Sequence, residues 1–147
     1  EKLLRPDYFY EVAFQTQFAS PHYYRYLQNL NVNLISLEQL RSREQADHEV
    51  RELMRRKFVK HSSLLNTFFG FDLDAVRMSD APGVSAPSPV GLRAGELITL
   101  VKFAASLVNT RIIEFTEVNP NFDVDGRTAR LVAVAMHRFC AALSRKA

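Results

Sequence analysis

Apolar and polar residues alternate along this chain in two periods, and the switches between them mark the elements. Tyr8 to Gln17, rich in aromatic and β-branched residues, predicts a strand. Ser20-Pro21 then supplies an N-cap and first-turn pair that opens a helix to about Asn29. Val32 to Leu37 predicts a second strand, and Arg43 to His61 a helix through Val50, Leu53, Met54 and Phe58. Leu64 to Phe71 is apolar enough for a central strand buried on both faces. Asp80 to Leu92 is too rich in Pro and Gly for a helix or a central strand, and predicts a loop laid across a site. Ala94 to Leu107 places Leu97, Leu100, Val101 and Ala104 on one helical face; Arg111 to Val118 predicts a fourth strand and Thr128 to Ser144 a closing helix.

Repeated β-α order with short connections implies parallel strands in one sheet with helices on both faces. The expected architecture is a single α/β unit over residues 1–147, three layers deep, with a mostly parallel sheet. In such sheets the ligand crevice lies beyond the carboxyl ends of the strands. Asp72 and Asp74 close the third predicted strand, and Glu117 and Asn119 the fourth, so adjacent strands would bring all four to one crevice.

Composition narrows the class. The 147 residues, 47% hydrophobic and 24% charged, suit one globular domain. A net charge of +3 is mild, and the basic residues from Arg41 to Lys60 are interleaved with Glu44, Asp47, Glu49 and Glu52, the pattern of a solvated helix face. No nucleic-acid partner is expected. The one cysteine, Cys140, lies in an apolar helical pattern and reads as a small core residue; it permits no intramolecular disulfide, which favours the cytoplasm or an organelle matrix. No apolar run is long enough to span a bilayer, so no membrane partner is expected. Glu1 heads no signal peptide, and without an initiator Met the chain is expected to begin mid-protein.

The chemistry centres on Gly70-Phe71-Asp72-Leu73-Asp74-Ala75. On an extended chain the i and i+2 side chains point the same way, and two hard carboxylates so held suit a divalent metal; the plainer reading is a pair of solvated or helix-capping groups. For Glu117 the plain reading is an ion pair with Arg111 or Arg127, and for Asn119-Pro120 a turn. Asn121 to Gly126 imitates the start of a calcium-binding EF-hand loop, but its twelfth position is Val132 where a bidentate Glu is required; Asp125 is expected to cap the following helix. His22, His48, His61 and His137 show no metal-ligand spacing among themselves.

Three motifs in order carry a resemblance: Phe71-Asp72-Leu73-Asp74-Ala75, then Ala81-Pro82-Gly83-Val84-Ser85-Ala86-Pro87 with Gly91-Leu92, then Thr116-Glu117-Val118-Asn119-Pro120. In wording and spacing the chain resembles the carboxyl-terminal half of the ureohydrolase family of arginase, agmatinase and formimidoylglutamase. The formimidoylglutamase branch is the most similar, through Asp80-Ala-Pro-Gly-Val-Ser-Ala-Pro87 and Asn119-Pro-Asn-Phe-Asp-Val-Asp-Gly-Arg-Thr-Ala-Arg130. Two departures weaken the arginine and agmatine readings: Arg77-Met78 stands where those branches carry Asp-Pro, and Ser85-Ala86-Pro87 where arginases carry Gly-Thr-Pro.

The resemblance implies an arginase-like fold, present here as a partial domain, and a binuclear manganese centre with Asp72 and Asp74 as ligands. It further implies that Glu117 faces a cationic amidine or guanidine. Arg77, next to that site, is a candidate to meet a substrate carboxylate, and its plainer reading is a surface loop Arg. The remaining ligands would come from Gly-Gly-x-His and Asp-Ala-His-x-Asp stretches that this chain lacks, and no residue here stands out as the catalytic acid. The expected function is hydrolysis of the C–N bond of N-formimino-L-glutamate to L-glutamate and formamide in histidine degradation, by a homo-oligomer. The rivals are an arginase or agmatinase, a non-catalytic member of the fold, and an unrelated α/β binding module.

Overall fold

Helical crossovers join two pairs of strands in this chain, and both pairs are parallel. The computed structural model describes residues 5–41, 55 and 65–145. They fall in two units, Glu1–Glu44 and Gln45–Ala147. The helix expected over Arg43 to His61 lies outside the described residues but for Arg55.

In the first unit, β1 (Tyr10–Phe14) and β2 (Asn33–Ser36) flank helix α1 (Pro21–Asn29). Their parallel register runs Tyr10 to Asn33 and Val12 to Ile35, then shifts at Ala13, whose φ of 65° inserts a bulge. The first strand is shorter than expected because Pro6–Tyr8 forms a 3-10 turn. The second stops at Ser36, where a short helix, α2 (Leu37–Arg41), begins. Ser36 and Gln39 exchange backbone-to-side-chain hydrogen bonds of 2.8 and 3.2 Å, a capping box that the alternating pattern concealed.

In the second unit, β3 (Thr67–Asp72) and β4 (Thr110–Thr116) flank helix α3 (Ala94–Ser106), and helix α4 (Arg127–Leu143) packs against α3. Phe68 pairs in register with Ile112, Phe71 with Phe115 and Asp72 with Thr116. One face of this sheet holds the core. Phe71 stacks on Phe115 with ring centres 5.2 Å apart, and Phe69 meets the ring of Phe103 from α3 edge-on at 6.4 Å. The helical stripe read from the sequence is buried as expected: Leu97, Leu100, Val101 and Ala104 all point inward. Each of the larger three contributes about 1.5–3 kcal/mol by leaving water.

The fold class is α/β, with parallel strands flanked by helices. Three expectations are corrected. The four strands form two two-stranded sheets among the described residues, not one sheet, because no ladder joins β1–β2 to β3–β4. Among the described residues β3 is covered on one face: its burial alternates, and Phe68 and Ile112 on the other face are 55% and 58% exposed. Cys140 is also exposed, not a core residue.

Candidate metal and substrate site

The carboxyl ends of β3 and β4 lie side by side, since Asp72 and Thr116 are register partners. That places Asp72 next to the chain leading into Glu117. Asp72 is the last residue of β3, but Asp74 is not on an extended chain, as the i, i+2 argument assumed: Leu73–Ala75 is a 3-10 turn. The cause is local. Asp72 Oδ1 accepts the Asp74 N–H at 2.8 Å, so the carboxylate caps the turn that follows it. Asp74 Oδ1 in turn accepts the Ala86 N–H at 3.0 Å. Neither Oδ2 makes a hydrogen bond among the described residues.

The Pro/Gly-rich segment is stitched to both strand ends. Leu92 N–H donates to Ala75 O at 2.8 Å, Arg77 N–H to Leu92 O at 3.0 Å and Met78 N–H to Ser88 O at 2.7 Å. Gly91 sits where a Cβ would fall 2.5 Å from Arg77 N, which requires glycine. Further along, Val84 bridges antiparallel to Val118, and Asn119 N–H donates to Gly83 O at 2.9 Å.

Glu117 leaves β4 with a φ of 64°. A non-glycine residue in the left-handed region costs on the order of 1–3 kcal/mol and persists only where its surroundings enforce it, a state that clusters at functional sites. This turn also ends β4 earlier than the sequence suggested.

The ion pairs weighed for Glu117 are not formed. Arg111 donates to Asn66 Oδ1 at 3.0 Å, and Arg127 reaches Ser79 O at 3.1 Å and Asp125 Oδ2 at 3.3 Å. Among the described residues no cation pairs with Asp72, Asp74 or Glu117. Partial desolvation at the strand end raises the Asp72 pKa above the ordinary carboxylate value, even though much of its surface is open. The Asp74 N–H pulls it down, and the charges of Asp74 and Glu117 push it up.

Arg77 is engaged elsewhere: its Nε lies 3.0 Å from Asp80 Oδ2, the same oxygen that accepts the Ala94 N–H at the start of α3. Asn119 Oδ1 accepts the Asn121 N–H at 3.1 Å, the local turn that Asn119-Pro120 predicts. The helix cap expected of Asp125 belongs to Asp123, whose two oxygens accept Thr128 N–H at 2.8 Å and Ala129 N–H at 2.9 Å. Asp125 is itself left-handed, at φ 57°, just before Gly126, and pairs with Arg127 instead.

Two carboxylates with an open oxygen each, under the charge of a third, form a hard anionic donor set of the kind that binds manganese or magnesium. They fit such an ion in kind and fall short in number. No group of three or more His, Cys, Asp or Glu side chains suited to a metal occurs among the described residues.

A parallel α/β fold with acidic strand ends defines a class, and comparison with known proteins resolves it. The arginase family model matches residues 1–141. The chain belongs to the arginase family. Formimidoylglutamase from Macrococcus caseolyticus is 32% identical over 99 residues, 65% of this chain and 31% of that protein. The crystal structure of formimidoylglutamase from Bacillus subtilis superposes with a TM-score of 0.84 at 25% identity, over 95% of this chain and 43% of that one. Trypanosoma cruzi formiminoglutamase with Mn2+2 gives a TM-score of 0.82 at 25% identity, over 97% of this chain and 45% of that one. The chain thus spans about a third of the length of this curated relative and less than half of these structures.

Proposed function

We propose that the full-length protein containing this chain is a binuclear manganese hydrolase that cleaves N-formimino-L-glutamate to L-glutamate and formamide. The observation that carries this reading is the uncompensated acidic cluster at the ends of β3 and β4, with Glu117 in a strained conformation and no protein cation to meet it among the described residues. The formimidoylglutamase relatives, and the manganese in one of their structures, support the choice of substrate and metal. The family match running through both units supports counting them as parts of one domain.

Asp72 and Asp74 would supply ligands to the metal, with further ligands from outside this chain. Manganese, when bound, supplies Lewis acidity that lowers the pKa of a water and makes a nucleophile available near neutral pH. Asp72 must be unprotonated to serve, and its backbone bond to Asp74 holds the carboxylate in place for that role. The Glu117 carboxylate would hold the flat amidinium by charge-assisted hydrogen bonds and so fix where its carbon lies. The terminal nitrogens of Arg77 make no hydrogen bond among the described residues and suit a carboxylate of the substrate. We also assign the protein to the cytoplasm or an organelle matrix and to a homo-oligomeric state. A single cysteine in the chain supports the first.

The test is to supply the manganese-loaded full-length protein with N-formimino-L-glutamate, arginine and agmatine side by side. Formamide release from the first with little urea from the others is expected. Urea from arginine as the dominant product overturns the substrate, and no turnover of any compound makes the protein a non-catalytic family member.

A further inference from the structure

We propose that Thr128 is a positioning residue for Glu117, acting through Gly83, an inference that rests on the reading of Glu117 as the group that meets the substrate cation. The Thr128 side chain is completely buried at the start of α4, and its Oγ1 accepts the Gly83 N–H at 2.8 Å. A β-branched side chain, buried in the first turn of α4, is stiff at χ1, so Gly83 is held against a fixed partner.

Gly83 passes the constraint on. Its carbonyl accepts the Asn119 N–H at 2.9 Å, and the next residue, Val84, bridges to Val118. Thr116, on the other side of Glu117, is fixed in the parallel ladder opposite Asp72. The chain must therefore pass from a parallel ladder with β3 to an antiparallel bridge with Val84 across one residue. Glu117 absorbs that change, and its φ is 64°. Only glycine fits at the hub, because a Cβ on Gly83 would lie 2.3 Å from Asp123 Cβ. Asp123 thus closes the arrangement from behind, capping α4 with both oxygens. Without the hydroxyl, Gly83 loses its tether to α4, the Val118–Asn119 clamp loosens, and Glu117 is free to return to negative φ and move its carboxylate. The metal ligands are held by other bonds, to Asp74 N–H and Ala86 N–H.

In the manganese-loaded full-length protein, Thr128→Val removes the hydroxyl at nearly constant shape and Thr128→Ser restores it. Thr128→Val is expected to raise KM for N-formimino-L-glutamate by about tenfold, the scale of one lost hydrogen bond to a buried donor, with the manganese content unchanged. Thr128→Ser should return KM close to the parent value. Parental KM and kcat in Thr128→Val, or equal impairment in Thr128→Ser, overturns the proposal. If Thr128→Val fails to fold, Thr128→Ala takes its place: removing the acceptor of the Gly83 N–H should raise KM at constant manganese content, and an unchanged KM overturns the proposal. If the parent turns over no amidine, the functional reading falls and the crystal structure of the folded variant decides positioning alone. Glu117 at negative φ supports it, and Glu117 at the parental φ with the Gly83 to Asn119 bond intact overturns it.

Discussion

Asp74 Oδ1 accepts the backbone N–H of Ala86 at 3.0 Å, which ties the second aspartate of the site to the Pro/Gly-rich loop twelve residues further along. Asp72 is tied in the same way to Asp74 itself, at 2.8 Å. Each carboxylate therefore gives one oxygen to the fold and leaves the other without a hydrogen bond among the described residues. This division of labour separates the two kinds of variant that test the site.

Asp72→Ala removes both uses, whereas Asp72→Asn keeps an oxygen for the Asp74 N–H and loses the charge. In the full-length protein both should lose manganese-dependent activity, and Asp72→Asn should melt closer to the parent than Asp72→Ala does. Loss of a capping acceptor costs about 0.5–2 kcal/mol. Metal analysis alongside thermal unfolding checks this. Two tightly held manganese ions in either variant would remove Asp72 from the ligand set.

The glycines of the loop make a sharper stability test. A methyl group added at Gly83 would lie 2.3 Å from Asp123 Cβ, and one added at Gly91 2.5 Å from Arg77 N, whereas one added at Gly95 would meet nothing within 4 Å. Gly83→Ala and Gly91→Ala should each destabilise by about 1–3 kcal/mol or more, since neither neighbour can give way cheaply. Gly95→Ala, in the first turn of α3, should be neutral or stabilising by up to about 1 kcal/mol. Denaturant midpoints of the three variants decide; equal midpoints would mean that the loop is not clamped to the strand ends.

These bonds explain which parts of the structure were legible in the sequence. Helices α1, α3 and α4 were, because an apolar stripe every third or fourth residue has one reading, and Ser20-Pro21 marks a start without help from tertiary structure. The residues of the acidic cluster were legible too, from strand ends and motif wording. Their geometry was not. Asp72 and Asp74 read as neighbours on a strand because alternation ignores a side chain that bonds to backbone and turns the chain. The left-handed Glu117 has no local signal at all, since its φ comes from a ladder on one side and from Gly83 on the other, both distant in sequence. Gln39 three residues after Ser36 was a local sign of α2, masked by an apolar alternation that continued past it.

Acid should destabilise the protein through Asp80 and Asp123. Burial alone would raise the pKa of each, but hydrogen bonds outweigh it: Arg77, Ala94 and Ser79 for Asp80, and Ala129 and Thr128 for Asp123. Both end below the ordinary 3.8. A carboxylate whose folded-state pKa is depressed contributes stability that is fully present above its unfolded value and is lost as pH falls through the folded one. Melting temperature, followed in chelator so that metal release plays no part, should drop as pH passes below 3.8. The drop should be shallower in Asp80→Asn. Parallel profiles for parent and variant would show that Asp80 carries none of it.

The strain at Glu117 separates its role in the fold from its role at the site. A side chain at φ 64° is disfavoured, and glycine is not. Glu117→Gly and Glu117→Ala both remove the carboxylate, so both should lose turnover of an amidine, and Glu117→Gln should lose on the order of 2–5 kcal/mol of transition-state binding as one partner of a desolvated charge pair. Only glycine also relieves the backbone. Glu117→Gly should therefore be more stable than Glu117→Ala by about 1 kcal/mol, against the usual order in which alanine is the more stable of the two. Such an inversion, read from denaturant unfolding with activity lost in both variants, would mean that the chain retains a costly conformation for the sake of the carboxylate it presents. If Glu117→Ala proves as stable as Glu117→Gly, the conformation carries no strain; if Glu117→Gln keeps full turnover, the carboxylate does not meet the substrate.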